Sequence, residues 1–180
     1  RDTLDLSPEQ ARVLMLTHRG FVRSGAALTG EQVDLMKEVK SRLATLGTQF
    51  VQNLLKDESD WVMRLSDDAL AELPDFVQDA VRAAGDEMDT DGPVVTLSRS
   101  IIVPFLQFSP RRDLRKNAYD AWAARGANGG DTDNRGIAGE TLKLRETRAH
   151  LLGYPDFAHY KLETEMAGKP VAVRDLLMQV

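Results

Sequence analysis

The chain has 180 residues, of which 42% are hydrophobic and 28% are charged, a composition typical of a globular domain with a core of its own. Its net charge of −5 argues against a large surface for nucleic acid or anionic lipid, and no apolar run is long enough to cross a bilayer. The absence of cysteine excludes disulfides and thiolate metal sites and fits a reducing compartment. We therefore expect a cytoplasmic protein that binds neither nucleic acid nor membranes.

The two ends of the sequence carry no terminal signals. The first residue is Arg1, and no apolar signal-peptide core follows it. The pattern from Val171 to Val180 opens a helix and contains no end signal. We therefore expect residues 1–180 to be an excised part of a larger protein.

Two helix starts open the chain. Ser7–Gln10 combines a capping serine, a proline suited to the first helical position and a glutamine for a capping box, which predicts a helix to about Val22 that Gly25 ends. Thr29–Gln32 forms a second capping-box pattern and predicts a helix to about Lys56. Its apolar stripe is Val39, Leu43, Leu46, Phe50 and Leu54. We expect the two helices to pack as an antiparallel hairpin.

The next part of the chain predicts short elements. Trp61–Leu65 is an apolar run compatible with an extended segment. Acidic residues at Asp67 and Asp75 predict helical segments that Pro74 separates and Gly85 ends.

One strand pair is predicted. Val94–Leu97 and Ile101–Val103 are rich in β-branched residues and are separated by Ser98–Ser100, which favours a small β-hairpin. Pro104 would place the second strand at an edge or end it.

The last part of the chain predicts helices separated by turns. Ser109-Pro110 starts one helix, and the glycine-rich Gly126–Asn134 is a loop. Helices are then expected at Arg135–Leu152, from Pro155 to about Ala167, and from Pro170 onward. The expected fold class is mainly α, with a helical hairpin, further packed helices and one β-hairpin.

The three histidines do not have the spacing of a metal site. Glu146 and His150 are four residues apart, as are His159 and Glu163, and His18 stands alone. Each pair offers two ligands, whereas zinc needs at least three from the protein. We interpret both pairs as surface ion pairs.

Two acidic segments resemble the beginning of a calcium loop. Glu87–Gly92 and Asp131–Gly136 carry alternating acids before a glycine, but Ser98 and Leu142 stand where the closing carboxylate belongs. We interpret both segments as polar turns.

A basic cluster begins one predicted helix and consists of Arg111, Arg112, Arg115 and Lys116. Such a cluster at a helix N-terminus can hold an anion. Because the chain is acidic overall, we favour an ion-paired surface compensated by Asp113 or by an acid of another helix. Spacing alone therefore predicts no catalytic, cofactor-binding or metal-ligating residue.

The end of the chain resembles a known enzyme family. The marks are Leu144–Tyr154 with its Leu-Leu-Gly-Tyr, then Pro155–Tyr160, Met166-Ala167 and Pro170–Leu177. They are similar to zinc oligopeptidases of the thimet oligopeptidase family, which includes oligopeptidase A and the bacterial peptidyl-dipeptidases.

The resemblance extends upstream. Phe21–Leu28 is similar to the turn between the first two helices of peptidyl-dipeptidases, Phe50–Leu55 to the end of their long second helix, and Pro104–Arg115 to a strand-to-helix crossing. One departure is Thr147, where the family often has an acid, although Glu146 precedes it.

The resemblance implies a longer, two-lobed helical enzyme whose zinc is held by two histidines of an H-E-x-x-H motif and a downstream glutamate. No H-E-x-x-H occurs in this sequence. Residues 1–180 would then belong to the non-catalytic lobe, which would limit the channel to short peptide substrates. The remaining catalytic lobe would be its partner, and the isolated chain would self-associate through exposed apolar surface.

Several functions are compatible with this resemblance. The first is a peptidyl-dipeptidase that releases C-terminal dipeptides, slightly favoured over an oligopeptidase A-like endopeptidase by Arg23–Ala26. The second is a free-standing helical interaction module derived from that lobe. The third is a small enzyme that acts through Glu146 and His150.

Overall fold

The computed structural model describes residues 5–180, which are mainly helical as expected. The elements in chain order are α1 Pro8–Arg23, α2 Glu31–Asp60, β1 Val62–Arg64, α3 Asp67–Ala71, α4 Asp75–Glu87, β2 Val94–Thr96, α5 Arg99–Phe108, α6 Arg112–Ala123, α7 Arg135–Leu151, α8 Phe157–Leu162 and α9 Pro170–Leu177. They fall into two compact units, the first made of the chain up to Leu46 with Gly139–Val180, and the second of Gly47–Ala138. None of the helices in residues 5–180 is both long and apolar enough to cross a membrane.

Helix α1 begins at the predicted capping box. The Ser7 hydroxyl accepts the Gln10 N–H at 3.3 Å, and the Gln10 side-chain oxygen accepts the Ser7 N–H at 2.9 Å. The helix ends at Arg23, and Gly25 follows with φ +102°, a left-handed conformation that glycine adopts without strain. Both predicted boundaries are confirmed to within one residue.

Helix α2 begins without the predicted second box. It starts at Glu31 after Gly30, which has φ +56°, and no side-chain hydrogen bond of Thr29 occurs among residues 5–180. The left-handed turn at Gly30 replaces the cap that Thr29 was expected to provide. Helix α1 has no buried residue, and its antiparallel packing against α2 stays a prediction.

The predicted stripe of α2 is buried only in part. Val39 and Leu46 are buried, Leu43 and Leu54 are half-buried, and Phe50 is 36% exposed. The stripe therefore serves as a core face over part of the helix only.

The β-hairpin prediction is wrong, although β2 exists. β2 pairs antiparallel with β1, with Val62 opposite Thr96, so the strands are joined through α3 and α4 rather than by a short turn. Ile101–Val103 lies in α5. In a helix, Ile102 and Phe105 share one face, and both are fully buried, which outweighs the β-propensity of the Ile-Ile-Val run. Pro104 removes one backbone donor but is accommodated inside α5.

The main core lies in the second unit. Its buried members are Met63, Leu65, Leu70, Leu73, Val77, Val81, Val95, Leu97, Ile102, Phe105 and Ala118. Trp61 and Trp122 pack against this cluster. Helix α4 continues to Glu87, two residues past the predicted stop at Gly85. Gly85 lies inside the helix, where the backbone carbonyl of Gly92 approaches it closely.

The remaining helices follow the predicted order with shifted ends. α6 begins at Arg112, and the Ser109 hydroxyl accepts the Arg111 N–H at 3.3 Å instead of capping the helix. α8 begins at Phe157 rather than at Pro155, because Asp156 caps it, and it ends at Leu162.

The ends of α7 and α9 can be compared with the predicted ends. α7 ends at Leu151, before Gly153 with φ +83°, as predicted to within one residue. α9 begins at Pro170 as predicted but ends at Leu177, so the expectation of an unended helix at Val180 is wrong.

Candidate functional site

The predicted ion pairs of the histidines do not form. His150 Nε2 lies 2.9 Å from the Pro155 carbonyl oxygen, and His159 Nδ1 lies 2.8 Å from the carboxylate of Asp156. Asp156 also accepts the His159 N–H at 2.8 Å as the cap of α8, and Glu163 pairs with Arg23 instead of His159. Within residues 5–180, no three His, Cys, Asp or Glu side chains are grouped to hold a metal ion.

The two acidic segments form turns, as expected. Asp89 has φ +52°, and the Thr90 hydroxyl lies 3.2 Å from the carbonyl oxygens of both Gly85 and Gly92. In the other segment, Asp133 forms an ion pair with Arg135, whose side chain lowers the pKa of Asp133 to about 2.

The basic cluster at the start of α6 is ion-paired in part. The Arg111 guanidinium lies 3.1 Å from the Asp113 carboxylate, which confirms that Asp113 compensates the basic cluster as predicted. The same contact lowers the pKa of Asp113. Lys116 pairs with Asp120, and Arg115 donates to the carbonyl of Ser109. A depression of about 500 Å³ lies beside this face and is lined by Leu106, Arg112, Arg115, Lys116, Tyr119 and Asp120.

An arginine cluster in the first unit was not predicted. Arg23 donates to the Tyr154 hydroxyl at 3.1 Å and to the Tyr160 carbonyl at 2.7 Å, and it forms an ion pair with Glu163. Its side chain is only 13% exposed. Arg148 donates to the Tyr160 hydroxyl at 2.7 Å. The end of α1 is thereby bonded to the turn after α7 and to α8.

The charges of this cluster are tuned by burial and hydrogen bonding. The hydrogen bond from Tyr154, followed by that from Arg23, lowers the pKa of Glu163. Burial, followed by the hydrogen bond to Glu163, raises the pKa of Tyr154. The cluster therefore favours an ionised carboxylate beside a protonated phenol, which suits a structural contact between helices.

A groove lies between α2 and α7 in the first unit and encloses about 580 Å³. Its wall includes Arg42 and Glu140, joined by two hydrogen bonds of 2.6 and 2.8 Å. The apolar lining residues are Leu35, Val39 and Leu144. The groove combines an apolar lining with one ion pair.

Known proteins with similar sequences are peptidases. Peptidase family M3 matches residues 105–180. The chain is 32% identical over 177 residues to Oligopeptidase A of Salmonella typhimurium, an alignment that covers 96% of this chain and 26% of the relative. It is 31% identical over 174 residues to Probable cytosolic oligopeptidase A of Arabidopsis thaliana, covering 92% and 25%. It is 30% identical over 174 residues to Dipeptidyl carboxypeptidase of Salmonella typhimurium, covering 96% and 26%.

The helical chain is thus similar to peptidase family M3 over residues 105–180 and to these relatives along nearly its whole length. As the resemblance at Leu144–Tyr154 implied, it belongs to the thimet oligopeptidase family. The chain spans about a quarter of the length of the curated relatives that it matches.

Proposed function

We propose that this chain forms part of the non-catalytic helical lobe of a zinc-dependent peptidase that cleaves short peptides. The observation that carries the proposal is the alignment of 96% of the chain with Oligopeptidase A at 32% identity, over only 26% of that protein. An alignment that covers nearly all of this chain but only a quarter of the relative is expected when the chain corresponds to one part of the enzyme.

The zinc ion of the parent enzyme does not fit the residues described here. The side chains of His150 and His159 are engaged by Pro155 and Asp156, and no group of three ligand-type side chains occurs within residues 5–180. Zinc needs at least three protein ligands. We therefore propose that the ligands and the catalytic base belong to another part of the parent polypeptide.

Within this proposal, we favour a peptidyl-dipeptidase that releases C-terminal dipeptides. The turn at Arg23–Ala26 supports it, together with the relative named Dipeptidyl carboxypeptidase. A cytoplasmic location is supported by the absence of cysteine and by the relative named Probable cytosolic oligopeptidase A.

The partner that we propose for the lobe is the remaining catalytic part of the same polypeptide. Large apolar side chains are exposed on several helices, among them Val13, Phe21, Val51, Leu55, Leu142, Val171, Leu176 and Leu177. Apolar surface of this extent is typical of faces that another part of a protein covers. The chain alone is then expected to self-associate, which light scattering measures. A monodisperse monomer that binds no hydrophobic dye would count against this partner.

The decisive experiment uses the whole protein encoded by the gene that carries this segment. We expect an open frame beyond Val180 with an H-E-x-x-H motif, and hydrolysis of a short fluorogenic peptide that a chelator abolishes and zinc restores. A stop codon directly after Val180 would instead favour the free-standing interaction module. A full-length protein that is folded and zinc-loaded but cleaves no peptide would overturn the proposal.

Matched substrates separate the two modes of cleavage. A peptidyl-dipeptidase needs the free C-terminal carboxylate, so C-terminal amidation should suppress cleavage, whereas acetylation of the N-terminus should not. Equal cleavage of the amidated and free peptides would indicate an oligopeptidase A-like endopeptidase.

A further inference from the structure

One face of α2 is bonded to the glycine-rich loop between α6 and α7. Phe50, Asn53 and Asp57 are three and four residues apart, so they follow one another along the helix surface. All three bond to residues of the loop Gly126–Asn134. The contacts divide into a base, formed by Phe50 and Asn53, and an outer contact, formed by Asp57.

The base of the loop is closed by Asn134, which is only 3% exposed. Its side-chain oxygen accepts from the Asn53 amide at 2.9 Å, and its side-chain nitrogen donates to the Phe50 carbonyl at 3.0 Å. Its backbone N–H donates to the Gly126 carbonyl at 2.7 Å, which joins the two ends of the loop. These bonds do not involve Asp57.

The outer contact is a single carboxylate that accepts three donors. One oxygen of Asp57 accepts the Gly126 N–H at 2.6 Å and the Asn128 side-chain N–H at 2.8 Å. The other oxygen accepts the hydroxyl of Thr132, a residue that is 9% exposed. A carboxylate only accepts hydrogen bonds, and bonds to an ionised acceptor are stronger than neutral ones, so Asp57 is well suited to gather these donors.

The loop lies tightly against the helix at its base, and its tip is exposed to solvent. Gly126 has φ +68°, and a Cβ at this position would be 3.0 Å from both the Leu54 side chain and the Asn134 side chain. The tip from Ala127 to Asp131 is exposed and contains two glycines. Apolar burial therefore contributes little to holding the tip in place.

We propose that residues 127–133 form a strap that the Asp57 carboxylate holds closed over α2, hinged on the base at Gly126 and Asn134. Loss of this carboxylate opens the strap locally, while the bonds of Asn134 to Gly126, Asn53 and Phe50 keep the base closed. Asp57 is thus a positioning residue for the strap. The inference depends on contacts within the second unit and does not rest on the proposed peptidase function.

The test is residue-resolved amide hydrogen exchange on the purified chain and its Asp57→Ala variant. The Gly126 amide loses its acceptor, so we expect its exchange to accelerate at least about tenfold, the size of effect that loss of one hydrogen bond to a charged group predicts. The amides of Asn134 and of Val95 in β2 should keep wild-type rates. Asp60→Ala is the matched control, because Asp60 lies on the same helix and is bonded to Lys56 and Ser59 rather than to the loop.

Two results would overturn the proposal. One is an unchanged Gly126 rate in Asp57→Ala, and the other is equal acceleration of Gly126, Asn134 and Val95, which would mean that the whole unit opens together. If Asp57→Ala does not fold, Asp57→Asn provides the same test with nearly unchanged side-chain volume. Its amide keeps one acceptor oxygen but turns an N–H₂ group toward donors, so we expect a smaller acceleration at Gly126 with the same pattern.

Discussion

The guanidinium of Arg23 lies over the ring of Tyr160, 4.1 Å from the ring centroid, and also donates to the carbonyl oxygen of the same residue at 2.7 Å. Arg23 ends α1 and Tyr160 is buried in α8, so one side chain joins elements 137 positions apart. The ion pair with Glu163 offsets the charge at this partly buried position. The planar guanidinium makes the combination of stacking and several directed hydrogen bonds possible.

Replacing Arg23 with alanine should destabilise the chain by about 2 kcal/mol, because it removes hydrogen bonds that involve a charged group and leaves Glu163 without its partner. Arg23→Lys keeps the charge but lacks the planar fork, so we expect a smaller loss, of about 1 kcal/mol. Chemical denaturation measures both values. Arg12→Ala, at an exposed position of the same helix, is the control. An equal effect of Arg12→Ala and Arg23→Ala would contradict the role of the cluster.

The contribution of Glu163 should depend on pH. Its pKa in the folded chain is lowered from 4.5 by the hydrogen bonds from Tyr154 and Arg23, so the unfolded chain binds the proton more readily. By linkage, Glu163 contributes stability above about pH 4.5, and this contribution is lost as the pH falls through the folded-state pKa. The difference in unfolding free energy between the wild type and Glu163→Gln should therefore shrink as the pH falls below about 4.5.

Tyr154→Phe provides a cross-check on this pH dependence. It removes the hydrogen bond that contributes most to lowering the pKa of Glu163. When both proteins also carry Tyr154→Phe, the difference in unfolding free energy caused by Glu163→Gln should change less with pH. An identical pH profile in both backgrounds would show that Tyr154 does not act on the carboxylate.

The features predicted from sequence are those set by neighbouring residues. The Ser7 capping box, the stop before Gly153 and the pairing of Arg111 with Asp113 each involve residues within a few positions of one another. The failed prediction at Ile101–Val103 has the opposite origin. Ile102 is buried on the helix face that it shares with Phe105, and this packing outweighs the β-branched composition of the segment, which local sequence does not report.

The contacts of the candidate sites were not predictable for the same reason. Asp57 meets Thr132 across 75 positions, and Arg23 meets Glu163 across 140. An exposed-looking Asp on a long helix and an Arg at a helix end are both ordinary surface residues by pattern. Only the fold shows that each gathers several partners.

Zinc binding by this chain provides a further prediction. His150 and His159 are held by different partners, and residues 5–180 contain no group of three suitable ligands. We expect less than stoichiometric zinc after dialysis, because a tight site needs three or more protein ligands in place. Elemental analysis of the purified chain measures this value. One zinc per chain that is lost in a His150→Ala, His159→Ala double variant would contradict the prediction.

Two glycines in helices should respond in opposite directions to replacement by alanine. A Cβ on Gly85 of α4 would overlap the backbone carbonyl of Gly92, which cannot move without distorting the turn at Asp89. We expect Gly85→Ala to lower the free energy of unfolding by about 3 kcal/mol, at the upper end for overpacking. A Cβ on Gly47 of α2 meets nothing within 4 Å.

Gly47→Ala should therefore raise the free energy of unfolding by about 0.5–1 kcal/mol, because alanine reduces the conformational entropy of the unfolded chain and favours the helix. Denaturant titration of both variants under one condition gives the two signs directly. Since the substitution is chemically the same, the contrast isolates the close approach of Gly92 to α4. A Gly85→Ala variant as stable as Gly47→Ala would mean that the turn after α4 does not lie against Gly85.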